Sequence, residues 1–490
     1  MRVTIYDRFP IRILVALLLL LPVVPVHANT PTTLIAGNAL SAALSMSAAA
    51  TGIKNLYLYD NTNVCPAPHN TLLNLSRLPP ACAQTFEQIS GGASQTWTQG
   101  IPLAASLLLD GSLSGNVIQV TLQLNTQGPG SSRTIQACLN TTSGALGAGA
   151  GICQVQVTTL PNQSSTPFAV TFNLPFATTA TVPAGDTFVL QVNNQTTPAS
   201  RRIRLHPTFG VNNSIIFLPA ATVINVDSVD GFDAAFAGGA IPTAFTPGDT
   251  VFLRMVVSDP FGSFDIVTGA VGTTTSNVVV SIATPGGTPL VTNADTTVVA
   301  DSGADTKTFE FQYLIPPPTL GVPYPDTGFW DVDVTAIEGT EGTISHAETG
   351  QFRVELPFLI VTKLAIVISD PVGGPFPHAI PGAVIGYQVT VMNAGLGRAT
   401  SVVLTDDLDA EISAARIAFN PNTFAVGEGI QVTAPDINGG VTVSRTNAED
   451  ADECEFDGVA PAPTPNTVIC QAGQLDPGEL AQMEYEVTIQ

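Results

Sequence analysis

The feature that most constrains this chain is a Pro-Gly turn followed by a segment in which apolar and polar residues alternate. The turn occurs as Pro183-Ala184-Gly185-Asp186, Pro247-Gly248-Asp249, Pro381-Gly382-Ala383 and Pro477-Gly478-Glu479. Proline presets φ for the first corner of a turn and glycine supplies a positive φ, so the chain reverses and enters a strand. After the last turn, Met483, Tyr485, Val487 and Ile489 alternate with polar residues. A period of two predicts a β-strand with one face in water.

The composition extends this pattern to the whole chain. It contains 43 Gly and 38 Pro, and Thr, Val, Asn and Ser are abundant, as expected for many short strands joined by turns. Apart from residues 34–50, no segment after residue 28 has a sustained helical period. We therefore predict an all-β protein, a tandem of three antiparallel β-sandwich modules of immunoglobulin-like or jelly-roll-like type that follow a signal peptide.

The N-terminus predicts export. Residues 1–28 combine a basic start with an apolar run over 13–21 and a small-residue cleavage site at 26–28. The alternative is a membrane anchor. However, the apolar run is shorter than the ~20 residues that a spanning helix needs, and Pro22 and Pro25 interrupt it. We expect a cleaved signal peptide and no transmembrane anchor in the mature chain, which would be secreted or held at the envelope or surface of a bacterium.

The cysteines agree with an oxidising compartment. Six cysteines fall into close pairs, Cys65 with Cys82, Cys138 with Cys153, and Cys454 with Cys470. Each pair lies between strand-like segments of one module, so pairing of nearest neighbours is favoured. Each bridge would close one loop and contribute about 3 kcal/mol by the loop-entropy model. The alternative is a metal site, but no C-x-x-C occurs and only the first pair has a nearby histidine, His69.

Charge is distributed unevenly among three predicted units. Changes in composition place them at residues 29–222, 223–356 and 357–490. The chain has 39 acidic and 16 basic residues, a net charge of −23. The first unit carries 4 acidic and 6 basic residues, whereas the other two together carry 34 and 7. This acidity argues against nucleic-acid binding, which needs clustered Lys and Arg.

The third unit contains a recognisable repeat pattern. Residues 380–395 hold a Pro-Gly turn, an alternating strand that begins at Tyr387 and an Asn393-Ala394-Gly395 turn, and a Val-rich strand then ends in Thr405-Asp406. This pattern resembles the repeat known as domain of unknown function 11, a β-sandwich of bacterial and archaeal surface and secreted proteins. The resemblance implies a structural or adhesive role without a family active site. The middle unit, through its residues 247–262, resembles immunoglobulin-like modules of similar exported proteins.

Catalytic signatures are missing from the sequence. It has no H-E-x-x-H, G-x-S-x-G or phosphate-binding loop, so we predict that the protein is not an enzyme. Paired carboxylates could serve a glycosidase, but chance pairs are certain among so many acidic residues.

A calcium site is a further hypothesis. It rests on Asp227, Asp230 and Asp233, whose oxygens could hold a structural calcium at a joint between modules. The alternative for these carboxylates is a solvated surface, and no other cofactor is expected.

A ligand site is expected in the nearly neutral first unit. Its aromatic residues Tyr57, Tyr59 and Trp97 could stack on sugar rings, although core packing explains the same residues more simply. The leading hypothesis is a non-catalytic exported structural or adhesion protein of the bacterial cell surface or extracellular space. Its partners would be other surface or matrix components. The alternative is a carbohydrate-binding protein that recognises glycans through the first unit.

Overall fold

The structure is a computed structural model in which most of the chain after residue 49 is described. The described residues are 50–60, 74–80, 85–127, 131–162, 166–267, 269–317, 324, 326–339, 344–448, 452–457 and 466–490. The predicted signal peptide and the predicted Cys65–Cys82 pair lie outside these ranges.

The first unit consists of strands and one short 3₁₀-helix, Gly111–Ser114. Its strands are β1 (Gly52–Leu58), β2 (Asn74–Ser76), β3 (Glu87–Ile89), β4 (Ser94–Gln99), β5 (Leu107–Asp110), β6 (Val117–Thr126), β7 (Ser131–Thr141), β8 (Ile152–Leu160), β9 (Phe168–Pro175), β10 (Thr179–Val182), β11 (Phe188–Asn194), β12 (Ile203–His206), β13 (Thr208–Phe209), β14 (Asn212–Asn213) and β15 (Ile215–Ala220). All except the β13–β14 hairpin join one 13-stranded sheet. The pairs are antiparallel except β2 with β4.

The second unit is a single seven-stranded antiparallel sheet. Its elements are β16 (Asn225–Phe232), β17 (Thr250–Ser258), α1 (Ser263–Ile266), β18 (Thr274–Ala283), β19 (Pro289–Asp301), β20 (Thr306–Leu314), β21 (Gly328–Ile337) and β22 (Ser345–Val354). The strand order is β16-β17-β20-β19-β18-β21-β22. The two outer strands meet, because His346 Nδ1 on β22 accepts a hydrogen bond from Val226 N on β16 at 3.1 Å. Register shifts within several pairs increase the twist that curls one sheet into a sandwich.

The third unit is a sandwich of two separate sheets. Its elements are β23 (Leu359–Ser369), β24 (Val384–Asn393), β25 (Ala399–Asp407), α2 (Asp409–Ser413), β26 (Ile417–Phe419), β27 (Ile430–Thr433), α3 (Pro435–Asn438), β28 (Val443–Arg445), β29 (Cys454–Asp457), β30 (Thr467–Leu475) and β31 (Leu480–Ile489). The six-stranded sheet begins at the edge strand β23, next to β24 and then β31. The other sheet has the order β25-β30-β29. The predicted all-β sandwich fold is confirmed.

The turn-and-alternation pattern is also confirmed. The four glycines of the predicted turns, Gly185, Gly248, Gly382 and Gly478, all have φ between 82° and 99°. On β11, which follows the first of these turns, alternate residues are buried. The same alternation buries Met483, Tyr485 and Val487 on β31. The local pattern therefore forms the strands for the physical reason on which the prediction rests.

Two of the predicted cysteine pairs are disulfides. Cys138 and Cys153 lie directly opposite each other on β7 and β8, with Cα atoms 4.1 Å apart. Cys454 and Cys470 are related in the same way on β29 and β30. Each bridge therefore joins neighbouring strands of one sheet. Among the described residues, no helix is long and apolar enough to cross a membrane.

The buried apolar residues form two clusters, and these do not correspond one to one with the three units. One continuous cluster of buried apolar residues runs from Ala50 to Val354 and includes both the first and the second unit. A separate cluster, from Leu359 to Val487, fills the third unit. At the joint between the first two units, Ala50 N donates to Ile224 O at 3.0 Å and Val223 N donates to Ala50 O at 2.9 Å. The first two units are thus packed together through a shared apolar interior.

Candidate functional site

The aromatic residues singled out as a sugar platform are placed largely in the interior. Trp97 on β4 is fully buried and its Nε1 donates a hydrogen bond to Tyr59 O at 2.9 Å. Tyr59 is buried as well; its hydroxyl donates to Leu78 O at 3.0 Å, and burial raises its pKa to about 12. Tyr57, on β1, is half-buried. Since neither Trp97 nor Tyr59 presents a ring face to water, core packing accounts for both.

The carboxylates proposed for calcium lie at and beyond one strand without converging. Asp227 and Asp230 are on β16, and Asp233 follows its end. Asp227 Oδ1 accepts hydrogen bonds from neighbouring side chains, including Ser258 Oγ at 3.0 Å. Asp233 Oδ1 instead accepts from Ala240 N at 2.7 Å. These three residues do not form a group whose oxygens lie within 4.8 Å of one another.

A different set of charged residues does converge, at the joint between the first and second units. Lys54 and Arg77 come from the first unit, and three carboxylates come from the second. We call this set the ionic cluster; its members are Lys54, Arg77, Asp259, Asp265 and Glu338. Their side chains are between 0% and 2% exposed, so the cluster is closed to solvent.

Lys54 enters the cluster because of its position in the alternation of β1. Its neighbours two and four residues along, Leu56 and Leu58, are buried, so Lys54 occupies an inward position that normally holds an apolar residue. Lys54 Nζ lies 3.1 Å from Asp259 Oδ2 and 2.8 Å from Asp265 Oδ2. It also donates to Glu338 Oε1. One ammonium group therefore contacts all three carboxylates.

Arg77 follows β2 and connects two of the same carboxylates. Its Nε donates to Asp265 Oδ2 at 2.9 Å and its Nη2 donates to Glu338 Oε1 at 2.7 Å. Its Nη1 donates to Asn55 O, next to Lys54 on β1. A guanidinium group that is fixed on several acceptors at once is well suited to keeping buried carboxylates ionised.

The carboxylates reach the joint from two connections between strands, one from β17 through α1 to β18 and one from β21 to β22. Asp259 follows β17 and begins an Asp-Pro-Phe-Gly turn, in which its Oδ1 accepts from Phe261 N at 2.7 Å. Asp265 lies on the single turn of α1, and its carbonyl accepts from Gly339 N at 3.0 Å. Glu338 directly follows β21. Backbone contacts therefore fix the loops that carry the acids.

An aromatic ring shields the two cations. The Phe261 ring is fully buried, with Lys54 Nζ 5.1 Å and the Arg77 guanidinium carbon 4.8 Å from its centroid. Cation–π contacts of this kind are strongest when the groups are desolvated. The ring also excludes water from the joint. The low dielectric that results strengthens every charge interaction within the cluster.

The cluster is electrostatically uneven. Burial and the neighbouring charge of Asp265 raise the pKa of Asp259, Lys54 lowers it, and the net result is a pKa of about 7. Burial and Arg77 act to lower the pKa of Lys54, but the three carboxylates outweigh them and the net direction is upward. With Asp259 protonated, two cations face two carboxylates. Asp259 is thus an acid of the cluster that can hold a proton near neutral pH.

The carboxylate triad has the spacing of a metal-ligand set. One oxygen from each of Asp259, Asp265 and Glu338 lies within 4.8 Å of the others. However, Lys54 Nζ contacts all three, so the chain itself supplies the cation between them. Removing one partner of such a buried ion pair typically costs about 3–5 kcal/mol. The arrangement is suited to joining two units, or to chemistry among its own members.

The histidines among the described residues make contacts outside the ionic cluster. His206 is adjacent to the rings of Phe86 and Phe209, with centroids 5.6 and 5.9 Å away. His346 accepts the hydrogen bond that joins β22 to β16. His378 is exposed beside Asp370. None of these three histidines is a member of the ionic cluster.

Sequence reasoning did not identify the ionic cluster. A signal was available in Lys54, which shares the inward register with Leu56 and Leu58 on a strongly alternating strand. A lysine at an inward position requires a buried partner. Its partners are 205 to 284 residues away in sequence, and no local pattern identifies them.

Comparisons with known proteins give no family. No family model and no curated protein match the chain. A selenomethionine-labelled α-amino acid ester hydrolase aligns at 18% identity over 34% of this chain and 36% of its own, with a TM-score of 0.24. A CocE/NonD family hydrolase from Staphylococcus aureus aligns at 11% identity over 35% of this chain and 36% of its own, with a TM-score of 0.26. A GH2 β-galacturonidase from Eisenbergiella tayi aligns at 9% identity over 63% of this chain and 45% of its own, with a TM-score of 0.16. This chain thus spans less than half of each, and nothing about activity follows from such similarity.

Proposed function

We propose that the protein is a non-catalytic, exported structural or adhesion component of the bacterial cell surface or extracellular space. The observation that carries this proposal is an apolar stripe on the edge strand β23. The stripe consists of Ile360, Leu364, Ile366 and Ile368, which share one face of the strand and are 39–54% exposed.

The stripe is unusual for a sheet that faces water. Outward positions of an antiparallel strand are normally polar, whereas here four of the five outward positions from Ile360 to Ile368 are Leu or Ile, and the fifth is Thr362. On the adjacent strand β24, Met392 is exposed as well. Contiguous exposed apolar surface marks interaction sites, and a sheet edge can add a strand from a partner. An apolar stripe along a sheet edge therefore favours docking on another component over an isolated existence.

A shallow groove accompanies the stripe. Ile366, Ile368 and Phe424 line it together with the carboxylates of Glu484 and Glu486. Apolar walls beside acidic groups suit a partner segment that carries both apolar and basic side chains. Such a partner would be another protein of the surface or matrix.

The disulfides support an exported location. Disulfides persist in oxidising compartments and are rare where thiols are kept reduced. The bridges on β7–β8 and β29–β30 would each contribute stability in such an environment. The resemblance of the third unit to a repeat of surface and secreted proteins is in line with this proposal. The glycan alternative has no comparable exposed face at Trp97 and Tyr59.

Cell fractionation of stripe variants tests the proposal. Cells that produce the full chain would be separated into cytoplasm, envelope and medium, for the wild type and for a variant with Ile366→Lys and Ile368→Lys. Both residues are about half exposed, so lysine is tolerated without burial of its charge. We expect the wild type in the envelope or matrix fraction and a shift of most of the variant into the medium.

A matched control separates docking from general surface charge. Val211, which is 96% exposed in the β13–β14 hairpin, would be replaced by lysine and should leave the distribution unchanged. The proposal fails if the wild type stays in the cytoplasm. It also fails if the stripe variant fractionates like the wild type, as the Val211→Lys control is expected to do.

A further inference from the structure

The ionic cluster contains the groups needed to form an amide bond between side chains. Such a bond requires an amine, a carboxyl group within reach, a polarised carbonyl oxygen, a base that moves protons and the exclusion of water. Lys54 Nζ lies 3.1 Å from Asp259 Oδ2, and the side chains of both residues are fully buried. The amine is thus in hydrogen-bond contact with the carboxyl group that it would attack, and the electrophilic carbon, Cγ, lies one bond beyond the contacted oxygen.

The three carboxylates of the cluster are not equivalent. Arg77 donates hydrogen bonds to Asp265 and to Glu338, which stabilises their ionised forms. Asp259 Oδ1 instead accepts from the backbone N–H of Phe261 at 2.7 Å. A backbone N–H in this position polarises the carbonyl and stabilises negative charge that develops on its oxygen. Asp259 is therefore the electrophile of the set.

Glu338 is placed to act as the base. Its Oε1 accepts from Lys54 Nζ and from Arg77 Nη2. A carboxylate in contact with an ammonium group can take up its proton and release the amine as a nucleophile. Because Arg77 remains charged, Glu338 keeps a counter-ion after Lys54 becomes neutral.

We propose that Lys54 Nζ and Asp259 Cγ form an intramolecular amide cross-link that joins the first unit covalently to the second. The bond would connect β1 to the turn that follows β17. It would convert a buried ion pair, whose charges are costly to desolvate, into a neutral amide.

The step balances without any further reactant. The ion pair and its neutral form, an amine beside a carboxylic acid, contain the same three exchangeable protons. Glu338 transfers one proton from Lys54 to Asp259 Oδ2, and Nζ then bonds to Cγ while Oδ1 takes up negative charge. A second nitrogen proton passes through Glu338 to the leaving oxygen, the Cγ–Oδ2 bond breaks and one water molecule departs. No oxidant or reductant is needed, and Glu338 ends as it began.

The raised pKa of Asp259 is in line with this role. A pKa of about 7 leaves the carboxyl partly protonated at neutral pH, and a carboxylic acid is a better electrophile than a carboxylate. The Phe261 ring, packed against both cations, excludes the water that would compete for the intermediate.

Mass spectrometry of the folded full chain tests the cross-link. Under denaturing and reducing conditions, we expect the intact mass to fall short of the sequence mass by one water molecule. Proteolysis should release one branched peptide that contains both Lys54 and Asp259. A full sequence mass for the folded wild type, or a loss of water that maps to other residues, overturns the proposal.

Variants identify the roles of the residues. Lys54→Arg keeps the charge but lacks the amine, and should retain the water. Glu338→Gln keeps the shape but lacks the base, and should leave most of the chain without a cross-link. Lys363→Arg is the matched control, since Lys363 contacts Asp406 in the third unit, and it should still lose one water. If either of the first variants fails to fold, the wild-type mass and peptide map still decide the question. A cross-link that forms fully in Glu338→Gln contradicts the base that we assign.

Discussion

Single residues at the turns do more than reverse the chain. Asp186 closes the first of the predicted Pro-Gly turns, and its Oδ1 accepts from Ser143 N at 2.9 Å and from Thr187 N at 3.0 Å. The Thr142 hydroxyl also donates to Oδ1, and the Ser143 hydroxyl donates to Oδ2. Burial alone would raise the pKa of Asp186, but these donors lower it to about 2. One carboxylate therefore joins the loop after β7 to the turn before β11.

The Asp186 carboxylate predicts a pH-dependent contribution to stability. Because its folded pKa lies below the unfolded value of about 3.9, the contribution is present above that value and is lost as the pH falls through about 2. We expect Asp186→Asn to lower the free energy of unfolding by about 1–2 kcal/mol at pH 7. The difference from the wild type should shrink between pH 4 and pH 2. Urea unfolding at several pH values measures it.

A second aspartate provides the comparison. Asp295 on β19 is exposed, and Asp295→Asn should change stability by less than about 0.5 kcal/mol. Equal losses for the two variants, or a gap for Asp186→Asn that persists at pH 2, would contradict the assignment.

Lys54 shows where residue-level prediction ends. Its inward register on β1 could be read from the alternation with Leu56 and Leu58, and that register demands a buried partner. Which carboxylates supply the partner depends on how two sheets pack, since Asp259 is 205 residues away. Trp97 illustrates the same limit: its aromatic ring is compatible with a ligand platform and with a core, and only its complete burial distinguishes them.

At the scale of elements, local chemistry accounts for the strands but not for their partners. The turns around Gly185 and Gly478 and the alternation on β31 could be predicted because each depends on neighbouring residues. The parallel pairing of β2 with β4 could not, and neither could the contact of β16 with β22. Such pairings join distant segments, and their choice depends on shape and burial in the assembled core.

The cross-strand disulfide on β29 predicts a local effect. β29 is the edge of its three-stranded sheet and pairs only with β30 in that sheet. Replacing both Cys454 and Cys470 with alanine should therefore destabilise the third unit by about 3 kcal/mol on the loop-entropy estimate. Hydrogen exchange should accelerate most at residues 454–457. The equivalent double variant at Cys138 and Cys153 should leave exchange in β29 unchanged, and acceleration there would refute a local effect.

At the scale of the whole molecule, the cores define the cooperative units. The first and second units share one apolar cluster as well as the ionic cluster, whereas the third unit has its own core. The contact between the second and third units includes a hydrogen bond from Arg398 N to Thr246 Oγ1 at 2.8 Å. A few polar contacts couple neighbours more weakly than a common apolar interior.

Calorimetry should therefore resolve two unfolding transitions. The larger would belong to the first and second units together and the smaller to the third. Ile344 packs against Gly52 at the joint, and Ile344→Ala should lower only the midpoint of the larger transition, with a loss of about 2–5 kcal/mol. Val487→Ala, in the third core, should lower only the smaller one. Three separate transitions, or a shift of both by either variant, would contradict this division.

The paired ends of the first unit have a mechanical consequence. Gly52 lies opposite Ala220 in the β1–β15 ladder, and Ala50 exchanges hydrogen bonds with Val223 and Ile224. The described part of this unit therefore begins and ends at one place. Tension that reaches Ala50 from the N-terminal side passes across the strand pair to Ile224 and on into the second unit. The strands of the 13-stranded sheet other than β1 and β15 are left outside the path of the load, and they would keep their arrangement on a chain that is being pulled.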